Sequence, residues 1–296
     1  MDVFASTWGG CVVSTAIARY VRVRMEPQGH GYWCYPRPND ISLVEKIAAH
    51  FSPASLEVRV DTPYQQTGLG ASGALGVATL GCLNTLKGDE ALNLQQIAEL
   101  AHKVEAEEAG IAGGKQDQYA ACFGGMNYIE FGNRRVSVSK IKVKPETALS
   151  LENSLLLVFT RPRQSSSGDT MADEGRRIQD SNITTIQALM RQKELANEMR
   201  RVLRRGDLTA FGELLDEAWQ VKKEQTPLTS NQFINEVYAV AKKAGALGGK
   251  LSGAGGGGYF LLFAPGREGQ VAEAISNMGL RAETITFDWQ GLKVWQ

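Results

Sequence analysis

No stretch of this chain reaches the roughly 18 consecutive apolar residues that a membrane-spanning helix needs, and its start has no basic segment leading into an apolar core. The reading therefore predicts a cytoplasmic protein with no membrane partner. Charge of one sign is not in excess, because 32 basic residues balance 32 acidic ones; this argues against a general nucleic-acid surface and leaves small molecules as the expected partners. Cysteine is scarce. Cys11, Cys34, Cys82 and Cys122 lack C-x-x-C spacing and read as reduced, mostly buried thiols, not as zinc ligands or disulfides. The histidines His30, His50 and His102 form no i, i+4 pair, so each is expected on the surface or in the core and not on a metal. Internal repeats and low-complexity tracts are absent too, with Ser165 to Gly168 the one short flexible candidate.

Glycine, by contrast, is concentrated in loops. Thr67-Gly-Leu-Gly-Ala-Ser-Gly73 and Lys250-Leu-Ser-Gly-Ala-Gly-Gly-Gly-Gly258 lie far apart, with Gly113-Gly-Lys-Gln-Asp-Gln-Tyr119 between them. Removing Cβ lets backbone N–H groups converge on an anion, and a loop that opens into a helix adds the positive end of the helix dipole. The small, apolar, proline-free run Ala71 to Leu86 reads as such a helix, so the first loop suits phosphate. It is no Walker A loop, for the Lys-Ser/Thr pair is missing. Gly68, Gly70 and Gly73 have the G-x-G-x-x-G spacing of a dinucleotide site, but the turn-like Asp61 to Gln66 stands where a strand should lead in, and Glu90 lies in a turn where an acidic strand end is needed. A plain glycine-rich turn before a packed helix is the structural alternative.

Strand-like runs at Ile17 to Met25, Leu56 to Val60, Met126 to Phe131 and Val136 to Val143 alternate with helical patterns at Ile41 to His50, Ser72 to Leu86 and Leu94 to Glu108. The apolar run Ser154 to Phe159 opens the second half. Charged helices follow from about Thr170 to Arg205, Leu208 to Glu224 and Asn231 to Ala244, then a strand at Tyr259 to Phe263, a helix near Glu268 to Met278 and a strand near Ala282 to Trp289. This order suits a ferredoxin-like second domain with extra helices. Periodicity is lost at Lys142 to Thr147, which places a boundary near residue 150 and predicts domains 1–150 and 151–296.

The three loops taken together resemble those of the GHMP small-molecule kinases, through Gly68-Leu-Gly-Ala-Ser72, Gly113-Gly-Lys-Gln-Asp-Gln118 and Lys250 to Gly258. The likeness continues through Gly9 to Ile17, Ala120 to Asn127 and Trp219 to Lys223, and is strongest to the branch acting on D-glycero-D-manno-heptose 7-phosphate. It implies a two-domain α+β fold: an N-terminal α/β, ATP-binding domain, like one of a ribosomal small-subunit protein, and a C-terminal ferredoxin-like domain. It also implies ATP and Mg2+ as cofactors, a sugar phosphate as partner, and phosphorylation at the anomeric hydroxyl, with a homodimer among the admissible assemblies. A kinase of another sugar and a catalytically silent sugar- or nucleotide-binding regulator are the alternatives. Two departures stand out. Relatives begin with a strand and loop of the type Arg-x-x-Phe-x-Gly-Gly-Gly-Thr-Asp that helps to hold the sugar, and Met1 falls just after the point where that segment would end, so part of the sugar pocket is expected to be missing. Arg161 stands where the family has glycine in Thr-Gly-x-x-Arg.

Phosphoryl transfer asks the protein for positioning and charge neutralisation more than covalent chemistry. Backbone amides of Gly68, Leu69, Gly70, Ala71, Ser72 and Gly73 are the candidates for the ATP phosphates, with the Ser72 hydroxyl near the cation. Glu105, Glu107 and Glu108 end a helix just before the Asp117 loop, and an oxygen-rich Mg2+ site takes one or two carboxylates. The residues alone leave the choice open; the resemblance selects Glu105. Asp117 is the candidate that accepts or orients the hydroxyl proton, with a helix N-cap as its structural rival, and Lys115 a nearby charge. Gly253, Ala254, Gly255 and Gly256 let backbone approach a phosphate, or permit close packing before a strand. Arg161, Arg163 and Lys250 are candidates for a substrate phosphate. Trp8, Trp33 and Trp219 read equally well as packing residues.

Overall fold

The computed structural model describes residues 9–27, 32–35, 38–51, 56–61, 68–111, 113–132, 135–162 and 167–295. The first elements are β1 (Gly10–Thr15), β2 (Arg22–Pro27), β3 (Tyr32–Tyr35), α1 (Pro38–Ala49), β4 (Leu56–Asp61), α2 (Ala71–Asn84), α3 (Leu94–Lys103) and α4 (Gln116–Phe123). There follow β5 (Met126–Phe131), β6 (Val136–Lys140), α5 (Pro145–Ser154), β7 (Leu155–Phe159), α6 (Ser167–Gln179), α7 (Ile183–Arg205) and α8 (Leu208–Gln225). The chain closes with α9 (Gln232–Lys243), β8 (Gly248–Leu251), β9 (Tyr259–Phe263), α10 (Glu268–Ser276) and β10 (Ala282–Thr284). Contacts group these into two compact units that interleave in sequence, where the sequence reading drew one boundary near residue 150. One unit is built on 126–287 and takes in β1; the other spans 15–65 and 69–125 and takes in the tail from Asp288.

In the unit built on 126–287, β7 is joined through helices to the β8–β9 pair, and α10 leads to β10. The antiparallel strand order is β10-β7-β9-β8, the ferredoxin-like arrangement. The run Leu155 to Val158 is buried, as an inner strand covered on both faces must be. Trp219 is fully buried and meets Phe260 edge-on at 5.1 Å, so this tryptophan is a core residue beside Ile234, Val237 and Leu262. A second sheet has the order β1-β5-β6.

Several elements differ from the sequence reading. The pattern from Thr170 to Arg205 is two helices, because Ser181 takes a φ of 56° and the Asn182 side chain accepts a hydrogen bond from Thr185 N, starting a new helix. The aperiodic stretch Lys142 to Thr147 runs into α5, with Pro145 in its first turn and Thr147, Ala148 and Leu151 buried. The first expected strand lies later, at β2, and β1, β3 and β8 were not anticipated.

In the other unit, β4 pairs antiparallel with β2 and parallel with β3. Helix α2 is apolar around its circumference and contacts α1, α3 and α4, as a fully buried helix should. The tail continues this packing: Leu292 N donates to Cys122 O at 3.2 Å, and the Leu292 and Val294 side chains lie over Gly81. Cys11, Cys82 and Cys122 are free thiols, and His50 Nε2 is 2.8 Å from Glu108 Oε1. Trp8, His30 and Arg163, with Ser165 and Ser166 of the Ser165 to Gly168 segment, lie outside the described residues, as do the Trp33 and Cys34 side chains. No helix among the described residues is long and apolar enough to cross a membrane.

Candidate active site

The first glycine loop does open into a helix. Gly68 and Gly70 have φ of 81° and 78°, and Gly70 occupies the N-cap of α2, so no side chain caps the helix and its first-turn amides are left without a capping partner from that position. Asp117 fills the space beside it. A Cβ on Gly70 would lie 3.0 Å from Asp117 Cγ, and one on Gly73 would lie 3.0 Å from Asp117 Cβ and 3.2 Å from Gln118 N. These two glycines are thus the room that brings α4 against the start of α2. The rival role for Asp117 does not hold, since Lys115 occupies the N-cap of α4 and Asp117 is in its first turn.

The three glutamates are sorted by one local distortion. After Lys103 the helix widens into a π turn over Val104–Glu108, with Ala109 N bonded to Val104 O at 2.8 Å. Glu105 becomes buried at 5% exposure, Glu107 faces solvent, and Glu108 is held by His50. Ser72 Oγ donates to Glu105 Oε1 at 2.5 Å, and Gln118 Nε2 donates to Glu105 Oε2. Burial pushes the Glu105 carboxyl above its ordinary range, the bonds from Ser72 and Gln118 oppose this, and Asp117 adds to it. Ser72, Glu105 and Asp117 therefore converge.

Lys115 has a partner that sequence reasoning missed. Its Nζ lies 2.6 Å from Glu99 Oε2, and Tyr119 OH donates to Glu99 Oε1 at 2.6 Å. Burial alone would raise the Glu99 carboxyl, but these bonds hold it below the usual carboxylate range. Nothing in the spacing of Glu99 signals this pairing.

In the other unit, Gly253 and Gly255 to Gly258 all have positive φ, which explains the glycine run. A Cβ on Gly255 would lie 2.7 Å from Thr229 Cα, while Gly256 N donates to Thr229 O at 2.9 Å and Gly258 N to Arg161 O at 2.8 Å. Close packing and loop conformation both need these glycines, and the Gly256 amide is engaged internally. Lys222 Nζ donates to the carbonyls of Gly253 and Leu251, the latter at 3.4 Å. The only sequence signal for Lys222 was the likeness over Trp219 to Lys223. Arg161 stacks over Phe233 at 4.0 Å, and burial pushes the Lys250 ammonium below its ordinary pKa.

The family description "GHMP kinases N terminal domain" matches residues 41–125, and "GHMP kinases C terminal" matches 199–280. A D-glycero-alpha-D-manno-heptose 7-phosphate kinase from Campylobacter jejuni is 32% identical over 265 residues, covering 86% of this chain and 76% of that protein. This chain is a GHMP kinase. A mevalonate kinase from Pyrococcus abyssi is 29% identical over 266 residues, covering 86% of the chain and 72% of its own length. The crystal structure of a D-glycero-D-manno-heptose 1-phosphate kinase from Bacteroides thetaiotaomicron superposes with a TM-score of 0.74 at 23% identity, covering 100% of this chain and 94% of that one, and so shares the fold. The GHMP kinase is accordingly a phosphotransferase with an alcohol acceptor, and ATP is the family's phosphoryl donor. Its hydroxyl and carboxylate oxygens at Ser72 and Glu105 fit a hard cation such as Mg2+, which takes one or two carboxylates and completes its shell with phosphate oxygens and water.

Proposed function

We propose that this GHMP kinase transfers the γ-phosphoryl group of ATP to the anomeric hydroxyl of D-glycero-D-manno-heptose 7-phosphate, giving the 1,7-bisphosphate and ADP. The observation that carries the catalytic reading is the seat of Asp117 against Gly70 and Gly73 at the start of α2, beside the Ser72–Glu105 bond. The Campylobacter jejuni relative supports the choice of sugar.

In this reading Asp117 takes the hydroxyl proton as the sugar oxygen bonds to the γ-phosphorus and the bond to the β-bridging oxygen breaks, leaving ADP. An anomeric hydroxyl is more acidic than an ordinary alcohol, so a carboxylate suffices as base. Amides of Gly68 to Gly73 hold the ATP phosphates at the helix N-terminus. Ser72 and Glu105 would hold Mg2+, which when bound neutralises charge on the β and γ phosphates. Lys115, anchored to Glu99, fixes the turn that carries Asp117. Gly253, Ala254, Gly255 and Gly256 form a second phosphate-binding turn, in which Gly256 contributes conformation and not its amide.

The test is ADP release from Mg-ATP with the heptose 7-phosphate beside mannose, fucose, galactose and mevalonate, with Asp117→Asn as control. Turnover with the heptose phosphate that collapses in the control supports the proposal. Faster turnover with another acceptor reassigns the substrate, and nucleotide binding without any turnover favours a silent regulator.

A further inference from the structure

We infer that Gln118 is a positioning residue for the cation: its side-chain amide holds the Glu105 carboxylate in the orientation that leaves lone pairs open to a metal. The inference rests on the assignment of Ser72 and Glu105 to the cation. Its ground is the geometry of one buried carboxylate. Glu105 enters from the π turn and Gln118 from α4, adjacent to Asp117, and they are 5% and 1% exposed. Ser72 Oγ donates to one Glu105 oxygen and Gln118 Nε2 to the other. A carboxylate has about four lone-pair sites, so one donor on each oxygen fixes its plane and leaves one site on each oxygen for a cation.

A second observation argues against mere packing. Gln118 Oε1 is buried and accepts from no described group. Leucine or methionine would fill the same volume without stranding an acceptor, so an amide here is poorly chosen for stability alone. It is well chosen if the donor is needed. Because Gln118 follows Asp117 directly on α4, and Gly73 faces both Asp117 Cβ and Gln118 N, any shift of α4 moves the base and the carboxylate's anchor together. Partners that orient metal ligands are typically worth roughly 10–100-fold in metal affinity.

The experiment titrates Mn2+ into the full chain saturated with ADP and follows water-proton relaxation, comparing wild type, Gln118→Met and Glu105→Gln. Gln118→Met keeps the side-chain length and removes the donor. It is expected to weaken Mn2+ binding by about tenfold or more, with metal-free ADP affinity unchanged, and to raise the Mg2+ concentration for half-maximal turnover without changing the sugar KM. Wild-type Mn2+ affinity in Gln118→Met, beside its loss in Glu105→Gln, overturns the role of Gln118 alone. Wild-type affinity in Glu105→Gln overturns the cation assignment and the inference with it. If Gln118→Met does not fold, Gln118→Asn decides, since its amide is withdrawn by one methylene from Glu105: weakened binding supports the inference and unchanged binding overturns it.

Discussion

Gly73→Ala separates the catalytic reading of the first loop from a purely structural one. Gly73 is inside α2 with no positive φ, so the space around it, and not its backbone conformation, decides the outcome. At an open helical position the change would gain about 1 kcal/mol of helix propensity. Here the new Cβ would stand 3.0 Å from Asp117 Cβ, 3.2 Å from Gln118 N and 3.3 Å from Asp117 C. Two of those atoms are backbone, so no rotamer relieves the contact and the start of α4 must move by a few tenths of an ångström. Overpacking of this kind costs about 1–3 kcal/mol, leaving a net loss of roughly 0–2 kcal/mol in stability. The rate should suffer as well. A misplacement of about 1 Å costs about 100-fold, so a shift of a few tenths of an ångström is expected to lower kcat by about 3- to 10-fold, measured as ADP release. Gly76→Ala is the control on the same helix, because its Cβ would meet Ala101 Cβ at an ordinary 3.5 Å. It should be as active as wild type and up to about 1 kcal/mol more stable in urea unfolding. Wild-type kcat in Gly73→Ala, or equal loss in Gly76→Ala, would refute the reasoning.

Asp117→Asn should lower kcat by about 10²- to 10⁴-fold while calorimetry finds ADP binding retained. Acid sensitivity should include a contribution from Glu99, whose carboxyl is raised by burial but held low overall by Lys115 and Tyr119. A depressed carboxylate contributes stability above its unfolded pKa of about 4.3 and loses it as pH falls through the folded value. The stability gap between wild type and Glu99→Gln in urea should therefore be widest near neutrality and close below about pH 4; a pH-independent gap would remove Glu99 from the account. Gly255→Ala places a Cβ 2.7 Å from Thr229 Cα at a φ of 121°, so it should destabilise the fold by about 1–3 kcal/mol through backbone strain alone. An unchanged urea midpoint would contradict that packing.

Much of the candidate site was legible because it is written in short, local patterns. Gly68 to Gly73 signalled a loop entering a helix, and the helix begins at Ala71. Asp117 was singled out by its motif and lies against the start of that helix; strands β7, β9 and β10 were legible from the succession of strands and helices, while β8, which overlaps the start of the third glycine loop, was not. What escaped has a common cause. The break between α6 and α7 depends on Ser181 adopting a left-handed conformation that its residue type does not demand. The Lys115–Glu99 pair joins residues whose spacing means nothing until α3 and α4 are packed.

By itself the sequence determined where backbone must turn, which runs must be buried and which residue types were present for phosphoryl transfer. Those properties belong to single residues and their near neighbours: a missing Cβ, a fixed proline φ, an apolar period. Only the tertiary structure decided that Glu105, of the three glutamates between residues 105 and 108, faces Ser72 and Gln118, and that Gly70 and Gly73 admit Asp117. Burial, charge convergence and steric clearance are sums over atoms from distant segments, and they take values only once those segments are packed together.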